Sequence, residues 1–189
     1  MRELSLNVMD VAQNSVRAKA SLVTITVDES DKDDFLQISI ADDGCGMTEE
    51  QVQQVIDPFF TTRTTRKVGL GVPLFKLSAE QTGGSFEIKS KLNVGTTTTA
   101  RYVKSHVDMT PLGDINDTVK ILIQCNPDID FVFTHTTDLG SFTLDTRELK
   151  EILGEDVPLN TPDVLEWIDG FLTEQSNIIY GGAKDEIFS

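Results

Sequence analysis

The run Leu36-Gln-Ile-Ser-Ile-Ala41 leads into Asp42-Asp43-Gly44-Cys45-Gly46-Met47, and no other stretch narrows the fold as much. The apolar run predicts a strand, and that strand delivers a carboxylate to a turn. Two closely spaced glycines there let the backbone pass very near a ligand. Taken alone, Asp-Asp-Gly is also ordinary turn chemistry, so its meaning depends on its neighbours.

Upstream, Leu4 to Ala18 has helical periodicity, and Asp10, Asn14 and Arg17 recur at i, i+4 and i+7 on one face. Leu4, Val8, Val11 and Ser15, with Leu6, Met9 and Val16 alongside, supply the surface that pins the helix to a core. The polar stripe is either a solvated face or part of a site. Asparagine is a poor helix former, and its position one turn from an acid suits a carboxylate–amide pair that grips a cation or water. Downstream, Asp57-Pro-Phe-Phe-Thr-Thr-Arg63-Thr-Thr-Arg66-Lys67-Val-Gly69-Leu-Gly71 enters a predicted helix, Val72 to Gln81. Backbone N–H groups, the helix dipole and three cations converge there on an anion, with phosphate the obvious candidate. Gly95-Thr96-Thr-Thr-Thr-Ala-Arg-Tyr102 reads as a β-branched strand entered from a glycine.

In this order the four elements resemble the gyrase, heat-shock chaperone, histidine kinase and mismatch-repair (GHKL) ATPase superfamily, over roughly residues 1 to 104. The resemblance implies a Bergerat-type ATP-binding fold with ATP and Mg2+ as ligands. Asn14 matches the residue that holds the magnesium, an oxygen ligand suited to a hard cation. Asp42 matches the aspartate that accepts from the adenine amino group, Gly44 and Gly46 match the glycines that let the base lie on the backbone, and Met47 covers the base. Phe59 and Phe60 resemble the aromatic pair ahead of the lid. Arg63, Arg66 and Lys67 fall inside the lid, where one of the three reaches the triphosphate. Gly69 and Gly71 match lid glycines whose N–H groups face phosphate, and Thr96 matches the hydroxyl that supports the adenine aspartate, directly or through water. Asp10 stands where ATPase members place a glutamate that orients the nucleophile, one methylene longer, or roughly 1.5 Å of reach. It is the candidate catalytic residue, and either it serves through a shifted helix or a water, or the chain binds ATP and hydrolyses it poorly. Asn14 to Ala20 looks closer to the mismatch-repair and stand-alone members, whereas the Asp-Pro-Phe-Phe-Thr-Thr run looks most like the histidine kinases.

The formal charge of −15 is uneven: residues 1–105 carry 12 basic and 14 acidic side chains, and residues 106–189 carry 4 and 17. This balance argues against general nucleic-acid or anionic-membrane binding and leaves a basic protein partner or solubility as its use. No apolar run approaches bilayer length, and Met1-Arg2-Glu3-Leu4 opens an amphipathic helix instead of a signal peptide, so a cytoplasmic location is expected. Cys45 and Cys125 form no CxxC, and Cys45 is read as packing. His106 and His135 lack metal-site companions. No histidine-bearing helix pair precedes Met1 in this sequence, so a phosphoacceptor is expected on another chain.

After Val107 the pattern predicts a helix over 114–124 and a hairpin of 131–135 and 141–144 with a loop of about four residues. A short helix capped by Asp145 or Thr146 follows, then a helix from Thr161 to about Gln175, and fraying from Tyr180 onward. Two parts are expected: 1–105, the ATP-binding domain, and 106–189, an acidic α+β extension docked on it or on a partner. The expected architecture is a two-layer α/β sandwich with a mixed sheet, strands near 22–28, 35–42, 85–91 and 96–104, and helices near 3–18, 48–55 and 71–82 on one face. The hairpin either extends this sheet or forms a second one. The expected activity is magnesium-dependent ATP binding, with slow hydrolysis or kinase-like transfer to a protein in trans. The alternative is a non-catalytic, nucleotide-gated interaction module.

Overall fold

Strand β2 (Phe35–Asp42) buries Leu36, Ile38 and Ile40 and leaves Gln37 and Ser39 on the other side, the period-two alternation of a sheet with one covered face. The computed structural model describes residues 3–59 and 71–182. Around β2 stand β1 (Leu22–Ser30), β3 (Ser85–Lys91) and β4 (Gly95–Val103), followed by β5 (Asp130–Thr137) and β6 (Gly140–Asp145). The six form one sheet in the order β3-β4-β2-β1-β5-β6. Every pairing is antiparallel except β1 with β5.

Register aligns the rows that build the core. Ile88, Thr98, Ile40, Ile25, Phe133 and Leu144 lie side by side, as do Phe86, Ala100, Ile38, Val27, His135 and Phe142. The helices cover this face. In α1 (Leu4–Arg17), Leu4, Val8, Val11 and Ala12 are buried, and in α3 (Gly71–Gln81), Val72, Phe75 and Ala79 are buried. Phe75 packs edge-on against Phe86, and the Ser78 hydroxyl meets that of Tyr102 at 2.8 Å. Helix α2 (Glu49–Val55) is started by a reciprocal capping box between Thr48 and Gln51.

The acidic segment completes this sheet. Helix α4 (Ile115–Cys125), capped by Asp114, buries Ile115, Val119, Leu122 and Ile123; α5 (Thr146–Leu153), capped by Asp145, and α6 (Pro162–Ile179) follow. Glu3 provides no side-chain cap for α1. Instead the carbonyls of Pro111 and Leu112 accept from the Leu4 and Ser5 amides at 2.9 and 2.8 Å, so the returning chain satisfies groups that a helix start leaves orphaned. The sheet therefore runs across the expected boundary at residue 105.

Two details depart from the expected pattern. The hairpin loop is Asp138-Leu139 alone, because Thr137 pairs with Gly140. The Asp138 carboxylate is committed elsewhere, accepting from the Ser30 hydroxyl and the Asp31 and Lys32 amides. Helix α6 continues to Ile179, one turn beyond Gln175, because Ile179 is buried and Gly181, at φ +80, is the first residue to leave the right-handed region. Tyr180 consequently does not fray. Its hydroxyl donates to Glu29, which also accepts from His135 Nε2 at 2.7 Å and Lys104 Nζ at 2.9 Å. A carboxylate only accepts, so Nε2 of His135 carries the proton.

Burial alone pushes the Glu29 carboxyl up. Hydrogen bonds from His135, Tyr180 and Lys104, with the Lys104 charge, outweigh it and hold the group at about 2, against an ordinary 4.5. With the folded value depressed, the cluster's stabilisation is complete above the unfolded value and is lost as pH falls through 4.5 toward 2. Urea denaturation at a series of pH values checks this. The wild-type midpoint should fall more steeply below about pH 5 than that of Glu29→Gln, which has no charge to neutralise. Parallel curves would show that Glu29 carries no such linkage.

Candidate active site

The alternation that buries Leu36, Ile38 and Ile40 carries on to Asp42, so the carboxylate points to the covered face. Register sets it in a row with Thr96, Ser90 and Val23. Above it α1 contributes Ser15, whose hydroxyl donates to Asp42 Oδ2 at 2.6 Å, while the Gly44 amide donates to Oδ1 at 2.9 Å. Both oxygens are thus fixed, and each keeps a lone pair for a further donor. Next to them is a cavity of about 180 Å³ lined by Val11, Ile40, Val55, Val72 and Ile88, with Asn14, Met47, Thr96 and Thr98 also on its wall. The lining is largely apolar, and the fixed Asp42 carboxylate gives a bound ring that carries a donor a preferred orientation.

Ser15 escapes a reading of the sequence as a functional residue because it falls on the core stripe of α1. The available signal is that a hydroxyl on a buried stripe requires a partner. Thr96 lines the cavity opposite Asp42, yet its hydroxyl is paired with Ser90 Oγ at 2.7 Å, and the direct hydroxyl support of Asp42 comes from Ser15. Ser90 Oγ also accepts from the Met47 amide at 2.8 Å, so Ser90 ties the strand row to the loop that carries Met47.

The two glycines of this loop are required by protein packing. A Cβ at Gly44 would lie 2.7 Å from Ala18 Cβ, and one at Gly46, where φ is +68, would lie 2.0 Å from the Lys91 carbonyl oxygen. The Cys45 amide donates to the Ala18 carbonyl at 3.0 Å, and the Asn93 amide donates to the Cys45 carbonyl at 2.7 Å. Asp43 faces away from the cavity. The Ser21 hydroxyl and the amides of Ser21 and Leu22 donate to it and hold its carboxyl below the usual range. The adjacent acids therefore divide the work, one facing the cavity and one fastening β2 to the chain before β1.

Asn14 is half-buried on the cavity wall, and its Oδ1 accepts from Arg17 Nη1 at 2.9 Å. Asp10, one turn earlier on α1, is exposed and lies off the cavity wall, and its side chain has no hydrogen bond or ion pair with a described residue. Its Cβ sits 2.9 Å from where a Cβ on Gly71 would stand, so the absence of a side chain at Gly71 lets α3 begin against α1 at Asp10. Phe59 is exposed. Arg63, Arg66, Lys67 and Gly69, with Phe60, lie outside the described residues. Among the described residues no cluster of three or more His, Cys, Asp or Glu side chains could hold a metal, and no helix is long and apolar enough to cross a membrane.

The family model described as histidine kinase-, DNA gyrase B-, and HSP90-like ATPase matches residues 2–106. The chain belongs to this ATPase family. Within it, the sensor protein SrrB of Staphylococcus aureus is 37% identical over 102 residues, a match covering 51% of this chain and 17% of that protein. The crystal structure of the N-terminal domain of a DNA repair protein superposes with a TM-score of 0.53 at 15% identity, covering 82% of this chain and 58% of that one. The Aquifex aeolicus MutL ATPase domain complexed with ADP aligns at a TM-score of 0.48 and 15% identity, covering 77% and 66% of the two chains. The matched residues include all of those that line the cavity beside Asp42.

Glycine substitutions separate packing from backbone conformation. Gly83, at φ +81, has open space where a Cβ would stand, whereas a Cβ on Gly46, at φ +68, would meet a backbone carbonyl. Gly83→Ala should therefore cost about 1 kcal/mol, and Gly46→Ala should cost more, roughly 2–4 kcal/mol. Denaturant titration of both variants checks the order. Equal losses would mean that the loop yields freely around residue 46.

Proposed function

We propose that the chain binds ATP in the cavity above Asp42 in a magnesium-dependent manner and either hydrolyses it slowly or passes its terminal phosphoryl group to a protein partner in trans. The observation that carries this reading is the fixed Asp42 carboxylate at the base of an apolar-walled cavity. With Ser15 and Gly44 holding both oxygens, the carboxylate is oriented before any ligand arrives, and adenine offers it an amino donor. A base without that amino group would leave a desolvated charge unpaired, which is the physical source of selectivity.

The donor chemistry suits magnesium. Asn14 would hold the ion through its amide oxygen, leaving other positions to phosphate and water, and the ion would neutralise phosphate charge. Arg17, now on that oxygen, would have to release it. Asp10 is exposed one turn from Asn14, and its side chain has no partner among the described residues, which supports a role in orienting the nucleophile. Transfer would otherwise rest on positioning and charge neutralisation, with a lid cation on the triphosphate. A nucleotide-gated interaction module is the second reading. It is favoured by the shorter reach of Asp10 and by its position off the cavity wall.

Isothermal titration of ATP with and without magnesium, on the wild type and Asp42→Asn, tests the site. Wild-type binding should require magnesium and weaken by about ten- to hundredfold in the variant, whose amide places a donor against another donor. No binding by the wild type would remove both readings. Asp10→Asn then separates them: a catalyst keeps its ATP affinity and loses turnover, whereas a gated module loses neither ATP binding nor ATP-dependent partner binding.

A further inference from the structure

The α5–α6 face carries a contiguous apolar groove of about 330 Å³, formed by Leu149, Ile152 and Leu153 on one helix and Val164 and Trp167 on the other. Ile152 is 80% exposed and Trp167 51% exposed. The indole is stacked on Phe171, ring centroids 5.2 Å apart and planes 15° from parallel, so a large apolar side chain is held in place against solvent. Single exposed apolar residues need no explanation, but a grooved patch centred on a braced tryptophan has the character of an interface anchor.

The groove's surroundings are charged with one sign. Residues 146–175 contain eight carboxylates and two cations, and both cations are engaged, Arg147 by Asp145 and Lys150 by Asp130. Glu148, Glu151, Glu155, Asp163 and Glu166, on the groove helices and the loop after α5, are exposed and have no ion pair among the described residues. A symmetric contact with a second copy would set this rim against itself. An anionic membrane would be repelled in the same way.

We propose that the groove docks an amphipathic helix of another protein, with apolar side chains at helical spacing seated between α5 and α6 and Lys or Arg along its flanks facing the acids. The groove is built on elements separate from those around Asp42, so this docking does not depend on nucleotide being bound or turned over.

Trp167 is the only tryptophan in the chain, so intrinsic fluorescence reports on the groove directly. The probes are tryptophan-free peptides of roughly 18 residues, a length that supports a helix, with a Lys/Arg face and a stripe of Leu, Ile, Phe or Met. Two control sets carry the same residues in scrambled order, or Glu in place of Lys and Arg. The full chain should show a saturable blue shift with amphipathic basic peptides, about tenfold tighter than with either control. Ile152→Lys, at a position too exposed to disturb folding, should weaken binding about tenfold, and Glu166→Lys should weaken it and flatten its salt dependence. Failure of every basic amphipathic peptide to bind overturns the proposal. Equal binding of the scrambled set also overturns it, because bulk charge would then suffice, as does concentration-dependent dimerisation that buries Trp167 in the chain alone.

Discussion

The side-chain parity of β2 is the constraint on which the site depends. Because Leu36, Ile38, Ile40 and Asp42 share one face, the residues that fix the strand against the helices also fix where the carboxylate points. A slip of one residue would expose the core side chains and turn Asp42 toward the open face. β2 is flanked on both sides by paired strands, and α1 sets Ser15 on the carboxylate at 2.6 Å. The site is therefore placed by the same packing that stabilises the fold. It is not carried on an independent loop.

The acidic second segment takes part in that packing. It caps α1 through Pro111 and Leu112, adds β5 and β6 to the edge of β1, and closes over Glu29 with His135 and Tyr180. Glu29 is a charge on the core face of β1, and it is tolerated because three donors from distant parts of the chain, Lys104, His135 and Tyr180, meet it. Removing the segment would leave β1 with an unpaired edge, α1 with open amides and Glu29 with only Lys104. The family match stops at residue 106, although the core it belongs to continues to Ile179.

The two surfaces for which a function is proposed are physically different. The cavity at Asp42 is small and largely apolar-walled, with an oriented carboxylate on its lining, which suits a rigid ring that carries a donor. The α5–α6 groove is open, apolar at its centre and acidic at its rim, which suits an extended basic element. The charge asymmetry of the chain follows the same division. The near-neutral first part holds the cavity beside Asp42, and the excess acid gathers on the part that presents the groove.

The sequence by itself determined a good deal. The motifs around Asn14, Asp42, Gly71 and Thr96 carry a resemblance to the family, and the family model matches over residues 2–106. The strand and helix periods place the elements to within a residue or two at most boundaries. Tertiary structure decided the rest, since the remaining questions concern partners distant in sequence. Ser15 is hidden on the core stripe because its role exists only once α1 crosses the end of β2. Gly44 and Gly46 read in sequence as room for a base, but they are first demanded by Ala18 and Lys91, contacts that form only when the loop folds onto α1 and the β3–β4 turn. Whether the hairpin extends the sheet or stands apart depends on β5 lying parallel to β1, a long-range pairing that no local pattern encodes. Tyr180 has the sequence context of a loose terminus, and it is held because a carboxylate 151 residues away needs its hydroxyl.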